Sequence, residues 1–398
     1  MKRLTWCVLL ACCAAPDVAP PLVPNAGPAQ ASTPLPPTTP LPPASPAPPA
    51  PPPTPPEALA LPTGAGPVAV PEPEVWLKGS THVHTRASGD SSTGIADVIT
   101  WYEARGYDFV VLTDHNRVSE IDGDTRGSVA LRPAQPTQLI VLSGIELTHN
   151  PNGCLPIGDP NKKCRIHVNV LGPTARPGGK LEWAERRSHE RLDMYQAALR
   201  AARALGGALV QVNHPQWFWG MTGDLLAELA RRGVALVEIA NVQFTRWNVG
   251  DKDHPSTEQL WDDVLSRGLT IWGTASDDAH DYPAVGARHQ GTWPAGGGWV
   301  VVKARRDSQA ILAALAAGHF YASTGVVLAK AEVVANELLI EIEPNHPGAY
   351  RIDWIEAGKV VATDHGMSAH RGVPNTGYLR ADVRRDDGTE AWVEPVRR

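Results

Sequence analysis

Short apolar runs rich in β-branched residues recur along the chain from residue 75 onward, and polar side chains of metal-ligand type mark each of them. The first ends in STHVHT, with His82 and His84 two apart. In a strand, residues i and i+2 point to the same face, so both imidazoles aim at one point. YDFVVLTDH ends in Asp114 and His115, IVLSGIE in Glu146, ALVQVNHP in His214 and LTIWGTASDDAH in Asp278 and His280, while RIHVNVLG carries His167. Helix-like stretches lie between several of these runs, over residues 94–105, 185–205 and 222–232. Strands alternating with helices predict βα units around a parallel sheet. In a barrel of such units, functional side chains collect at the C-terminal ends of the strands.

Singly, each residue has an ordinary structural explanation. Asp114 can cap a helix, Glu146 can pair with a cation, His214 can occupy a turn before Pro215, and His167 can bond to backbone in the core. Jointly they put ligand chemistry at the mouths of successive strands, which unrelated structural residues have no reason to do. Imidazole and carboxylate donors without thiolate suit zinc, manganese or iron(II) and disfavour a Cys-type structural zinc site. A structural zinc takes four ligands; His82, His84, His115, Glu146, His167, His214, Asp278 and His280 at one rim predict more than one ion. A carboxylate such as Glu146 can bridge two cations, and paired cations clamp the attacking and leaving oxygens of an in-line displacement. They also lower the pKa of bound water toward about 7. The expected nucleophile is a metal-bound hydroxide, with Glu146 and Asp278 as the carboxylates on which the reaction depends.

The ordered set His-x-His, Thr-Asp-His-Asn, Gly-x-Glu, a histidine in a run ending Leu-Gly, Asn-His-Pro and Asp-x-His resembles the polymerase and histidinol phosphatase (PHP) superfamily. With GWVVVKA and GHFYASTG, the resemblance covers about residues 77–325 and is nearest to the metallohydrolase branch that includes carbaryl-hydrolase-like enzymes. It implies an α/β fold, a distorted (β/α)7 barrel with a di- or trinuclear site. Carried over position by position, it implies one ion on His82, His84, Glu146 and Asp278, a second on His115 and His280, and a third sharing Glu146 with His167 and His214. Where many members have a further histidine six residues after the second of His-x-His, this chain has Asp90, which leaves the second ion's remaining contact and its metal preference open.

At the N-terminus, Lys2 and Arg3 precede a short apolar run, and Leu9-Leu10-Ala11-Cys12 resembles a bacterial lipobox. That resemblance implies a leader over residues 1–11 and a diacylated Cys12, with processing at Cys13 the alternative. The expected location is the bacterial cell envelope, periplasmic or surface-exposed, with the lipid as the only membrane contact. Residues 12–73 read as a tether: 16–73 hold 23 of the 38 prolines, and Asp17, Glu57 and Glu72 are their only charges. Such a segment cannot bury a core and reads as an extended polyproline-like spacer. Deleting most of residues 16–70 should leave the melting temperature unchanged within error; a large fall in a calorimetric scan would show that the segment packs on the domain. Cys154 and Cys164 remain for the mature domain. Outside the cytoplasm two such cysteines usually pair, with free buried thiols the alternative.

Residues 74–326 are long enough for one barrel of roughly 250 residues. After GVVLAKAE, strands joined by turns without helices predict a β-rich C-terminal unit over 327–398. The net charge is −6, or −8 once Lys2 and Arg3 leave, and no basic stripe appears, which argues against a nucleic-acid partner. Arg86 and Arg246 are candidates to hold a phosphate or carboxylate, and Trp217 to wall a substrate pocket; ion-paired arginines and a packed tryptophan are the alternatives. The expected activity is hydrolysis of a small-molecule ester, with phosphate esters first because clustered cations favour phosphoryl transfer. The alternatives are hydrolysis of a carboxylic ester, amide or carbamate on the same site, and a non-catalytic surface lipoprotein whose metals brace the barrel.

Overall fold

The computed structural model describes residues 72–119, 137–184, 188–283 and 295–398; the expected leader, Cys12 and the Pro-rich segment before residue 72 lie outside them, as do residues 185–187 of the expected helix 185–205. Strand β1 (Val75–Val83) is followed by α1 (Ile95–Glu103), β2 (Phe109–Leu112), β3 (Ile140–His149), β4 (Ile166–Leu171), α2 (Arg191–Ala204), β5 (Leu209–Val212) and α3 (Gly223–Arg231). Next come β6 (Leu236–Asn241), the single turn α4 (Thr245–Asn248), α5 (Thr257–Ser266), β7 (Trp272–Ser276), β8 (Trp299–Ala304), α6 (Ser308–Ala317) and β9 (Phe320–Ser323). The rest is strand: β10 (Leu328–Val334), β11 (Glu337–Ile342), β12 (Tyr350–Glu356), β13 (Lys359–His365), β14 (Ser368–Gly372), β15 (Leu379–Arg385) and β16 (Glu390–Val396). Local chemistry starts the helices: the Thr222 side chain accepts from Leu225 N, and Ser256 with Gln259 forms a capping box on α5.

Among the described residues, thirteen strands form one mixed sheet in the order β13-β12-β15-β16-β9-β8-β1-β2-β3-β4-β5-β6-β7. This corrects the expectation of a parallel sheet. β1, β2 and β3 are parallel, as are β5, β6 and β7, but β4 opposes both β3 and β5, and β8 opposes β1. The reason is local: β3 and β4 are joined by residues 150–165 without a helix. Antiparallel neighbours tolerate such a connection, whereas parallel ones need a crossover.

The β1–β7 stretch curls. Ala279, just past β7, bridges to Val83 and accepts a hydrogen bond from His84 N at 3.0 Å. Polar side chains meet inside the curl: Thr81 Oγ1 donates to Gln211 Oε1 at 3.0 Å, Gln211 Nε2 to Asn213 Oδ1 at 3.1 Å and Asn213 Nδ2 to Asn169 Oδ1 at 2.9 Å. A separate apolar cluster joins Leu77, Phe109, Leu142, Leu171 and Leu236 to Ile311 and Leu315 of α6. Gly79 leaves room for that packing, since a Cβ there would sit 2.3 Å from the Phe109 ring.

The C-terminal strands make a second layer. β10, β11 and β14 form their own antiparallel sheet, and Leu338, Ile340, Ile352, Trp354 and Val383 pack with Val301 of β8 and Tyr321 of β9. The unit therefore continues the large sheet through β9 and β16. Arg380 of β15 fastens it to α5: Nε lies 2.7 Å from Asp262 Oδ1 and Nη2 2.8 Å from Asp262 Oδ2.

Candidate metal centre

The expected ligand residues converge. Among the described residues, three groups could hold metal ions: His84, Asp90, His115 and His280; His82, His84 and Asp278; and Glu146, His167 and His214, with the ligand atoms of each group within 4.8 Å of one another. His82 lies in the last residues of β1, His115 just past β2, Glu146 in β3, His214 just past β5, and Asp278 and His280 past β7. His167 departs from the expected rule, because it is the second residue of β4 and so sits at the N-terminal end. It reaches the same rim because β4 is antiparallel to its neighbours. Asp114 joins no group; its Oδ1 accepts from Thr85 N at 2.6 Å and both its oxygens bond Thr85 Oγ1, which ties the ends of β1 and β2 together.

Two of the inward-facing donors are left unsatisfied. His82 Nε2 and His84 Nε2 lie 3.1 and 3.0 Å from Asp278 Oδ1, yet neither nitrogen has a hydrogen-bond partner, and both are buried. Two orphaned imidazole nitrogens aimed at one carboxylate oxygen fit a cation between them better than any polar contact present. Asp90 Oδ2 stands 3.0 Å from His115 Nε2 and 3.3 Å from His280 Nε2, where it can supply the carboxylate of the second group. Glu146 reaches His115 Nδ1 at 2.5 Å and His167 Nδ1 at 3.0 Å through different oxygens, so it can serve two ions. Backbone geometry is forced here as well: φ is +46° at Asp278 and +26° at His214. Such conformations cost on the order of 1–3 kcal/mol each and cluster at functional sites.

These charges lean on one another. Burial opposes the charge on Glu146, but the imidazoles of His167, His115 and His82 hold its carboxyl well below the usual range. Burial also opposes a proton on His115, yet the Glu146 and Asp90 carboxylates raise its pKa to about 10. Burial, with His280 and His115 beside it, pushes His84 down to about 3 and leaves a lone pair for a cation. An ion binding at His115 must displace a proton, so uptake weakens as pH falls.

Glu238 is a residue that the apolar run around it concealed. It is fully buried within β6, as its third residue, and lies 2.7 Å from His82 Nδ1. It accepts from Ser276 Oγ at 2.5 Å, His214 N at 2.6 Å and Asn241 Nδ2 at 3.0 Å. A proton on His82 Nδ1 shared with Glu238 leaves Nε2 free to face Asp278, which fixes the tautomer a metal needs. Its only signal in the chain was an acid inside VEIAN, where an apolar side chain would be expected. Glu238→Gln should lower zinc affinity by about 10- to 100-fold with secondary structure intact. Unchanged affinity in a competition titration would mean that other contacts orient His82.

A cavity of about 100 Å³ opens onto Asp90, His115, Glu146, His167, His214, Asp278 and His280, walled by Trp217 and Phe244. Arg86 is not among its lining residues; its guanidinium forks onto Ser92 O at 3.0 and 2.8 Å. Arg246 in α4 also stands off the cavity, over the Trp247 ring at 5.6 Å. Cys154 and Cys164 are joined by a disulfide with Cα atoms 5.8 Å apart, which fits an oxidising compartment. Among the described residues no helix is long and apolar enough to cross a membrane. The chain matches no protein-family model and no curated protein.

Proposed function

We propose that the chain is a metal-dependent hydrolase of small-molecule esters, of the polymerase and histidinol phosphatase type, and that phosphate esters are its substrates. The observation that carries the proposal is the pair of buried, unpartnered nitrogens, His82 Nε2 and His84 Nε2, facing Asp278 within a ring of imidazoles and carboxylates. We read the curled β1–β7 stretch as a distorted (β/α)7 barrel, with residues 74–326 as its span and 327–398 as an appended β unit. His82, His84, Glu146 and Asp278 would hold one ion; His115, His280 and Asp90 a second; His167 and His214, with Glu146, a third. Zinc, manganese and iron suit these donors. Such ions supply Lewis-acid charge for the ester oxygens and acidify a water molecule. Glu146 would contribute to holding two of them, Asp278 would share one with His82 and His84, and Trp217 with Phe244 would keep bulk water from the reacting group.

The aromatic walls favour one second reading, hydrolysis of a carboxylic ester, amide or carbamate whose apolar part lies against Trp217 and Phe244. For location we propose the cell envelope, with the protein held by a lipid on Cys12, which agrees with the Cys154–Cys164 disulfide. The test is a screen of the metal-reconstituted protein against phosphomonoesters, phosphodiesters and aryl esters, with metal content measured alongside. Turnover of phosphate esters that requires the metal is the expected result. Turnover confined to carboxylic esters would select the second reading, and bound metal with no turnover of any ester would leave a metal-braced surface protein.

A further inference from the structure

The turn after β5, residues 214–220, holds backbone conformations that side-chain-bearing residues rarely adopt, with φ +26° at His214, +59° at Phe218 and +56° at Trp219. Consecutive bulky residues in the left-handed region need support from outside their own turn. Inside it, Trp217 N donates to His214 O at 2.9 Å and Trp219 N to Gln216 O at 2.7 Å.

Outside support comes from the segment closed by Cys154 and Cys164. Gly158 lies so tightly against the turn that a Cβ there would sit 2.1 Å from Trp219 O and 2.6 Å from Phe218 O. Lys163 Nζ stands 5.2 Å from the Phe218 ring centre. Arg165, fixed by an Nη1 bond to Cys164 O at 2.7 Å, spreads over Trp217 and Phe218 at 4.9 and 5.0 Å. Arg191, 2% exposed, joins the two pieces. Its Nε donates to Pro156 O at 3.1 Å and its Nη1 lies 3.2 Å from Cys164 Sγ, while a Cβ on Gly220 would meet that same Nη1 at 2.4 Å.

The placement of this brace ties it to the metal centre. Its segment connects β3, which carries Glu146, to β4, which carries His167, and the turn it supports begins at His214. These are the members of one ion-binding group. Trp217 covers two of them, with ring centres 5.5 Å from His167 and 5.2 Å from His214.

We infer that the Cys154–Cys164 segment is a positioning element of the metal centre: it braces the aromatic turn so that His214 and Trp217 stay over the Glu146–His167–His214 group, retains the ion there and shapes the wall against which the non-reacting part of the ester lies. The inference rests on the metal-centre reading, while its first readout does not depend on hydrolysis.

The test compares the oxidised full-length protein with Cys154→Ser/Cys164→Ser, both loaded with zinc, by following zinc release to a chromogenic chelator and near-ultraviolet circular dichroism. KM and kcat are measured on any ester the wild type cleaves. The variant should bind the same amount of zinc at saturation but release one fraction at least tenfold faster. Its KM should rise at least fivefold with kcat within twofold of wild type. Gly158→Val keeps the disulfide while pushing on the turn, so it should speed release in the same way, and it stands as the test if the double variant does not fold. Release at the wild-type rate from a folded variant would overturn the inference. Wild-type protein that takes up no zinc would overturn it together with the metal-centre reading. Faster release without any ester turnover would uphold the brace and remove only the hydrolase assignment.

Discussion

Glu146→Gln should cut turnover by a hundredfold or more, about 2.7 kcal/mol of barrier, and lower the metal content while the fold survives. The change keeps the size of the side chain and removes the charge that faces His115 at 2.5 Å and His167 at 3.0 Å. A neutral amide cannot offset two cations, so ions sharing Glu146, as proposed, should lose affinity together. The scaffold should tolerate the loss, because Glu146 sits at the rim, and the apolar cluster around Leu77, Phe109 and Leu236 does not include it. Metal analysis and steady-state kinetics on the same preparation check both halves. Full turnover with full metal content would remove Glu146 from the site, and a collapse of secondary structure would make its role structural.

The second large effect is expected far from the cavity. Arg380→Met should destabilise the protein by about 3–5 kcal/mol at neutral pH, as removal of one partner from a buried ion pair generally does. Arg380 is 2% exposed and binds Asp262 through two nitrogens, Asp382 through the third, and Glu258 at 3.4 Å. Without it, Asp382 stays buried and keeps only Arg384 as a nearby cation, with Nη2 3.8 Å from its Oδ2. Burial already pushes the Asp382 carboxyl well above its usual value. A raised pKa in the folded state means that the neutral form is the stabilised one. Its contribution is complete below the unfolded-state value and is lost as pH rises through the folded one. The deficit of the variant should therefore shrink on acidification, and urea titrations at several pH values measure it. A loss under 1 kcal/mol, or one independent of pH, would show that water replaces the guanidinium.

Local features of the chain were readable without the structure. Residues 94–105 and 222–232 form α1 and α3 within a residue or two, because apolar spacing and caps act within one turn of chain. The ligand types were readable too, since imidazoles and carboxylates at the ends of apolar runs are costly to bury without a partner. Asp90 was a departure in the chain, yet in the fold its carboxylate lies between His115 and His280. Arg86 and Arg246 carried the right chemistry for an anion, but neither lines the cavity.

What composition and spacing determined was therefore the inventory: strands and helices, a metal-type donor set, two cysteines able to pair, and a strand-only C-terminal stretch. Only the tertiary structure decided the direction of β4, and with it the route by which His167 reaches the rim from the N-terminal end of its strand. It alone revealed Glu238 behind His82, Arg380 between β15 and α5, and the disulfide segment against the Trp217–Trp219 turn. The physical reason is the range of the interactions. Hydrophobic periodicity, capping and ligand chemistry are carried by neighbours in sequence, whereas a buried charge acquires its meaning from partners tens to hundreds of residues away, and strand pairing alone chooses those partners.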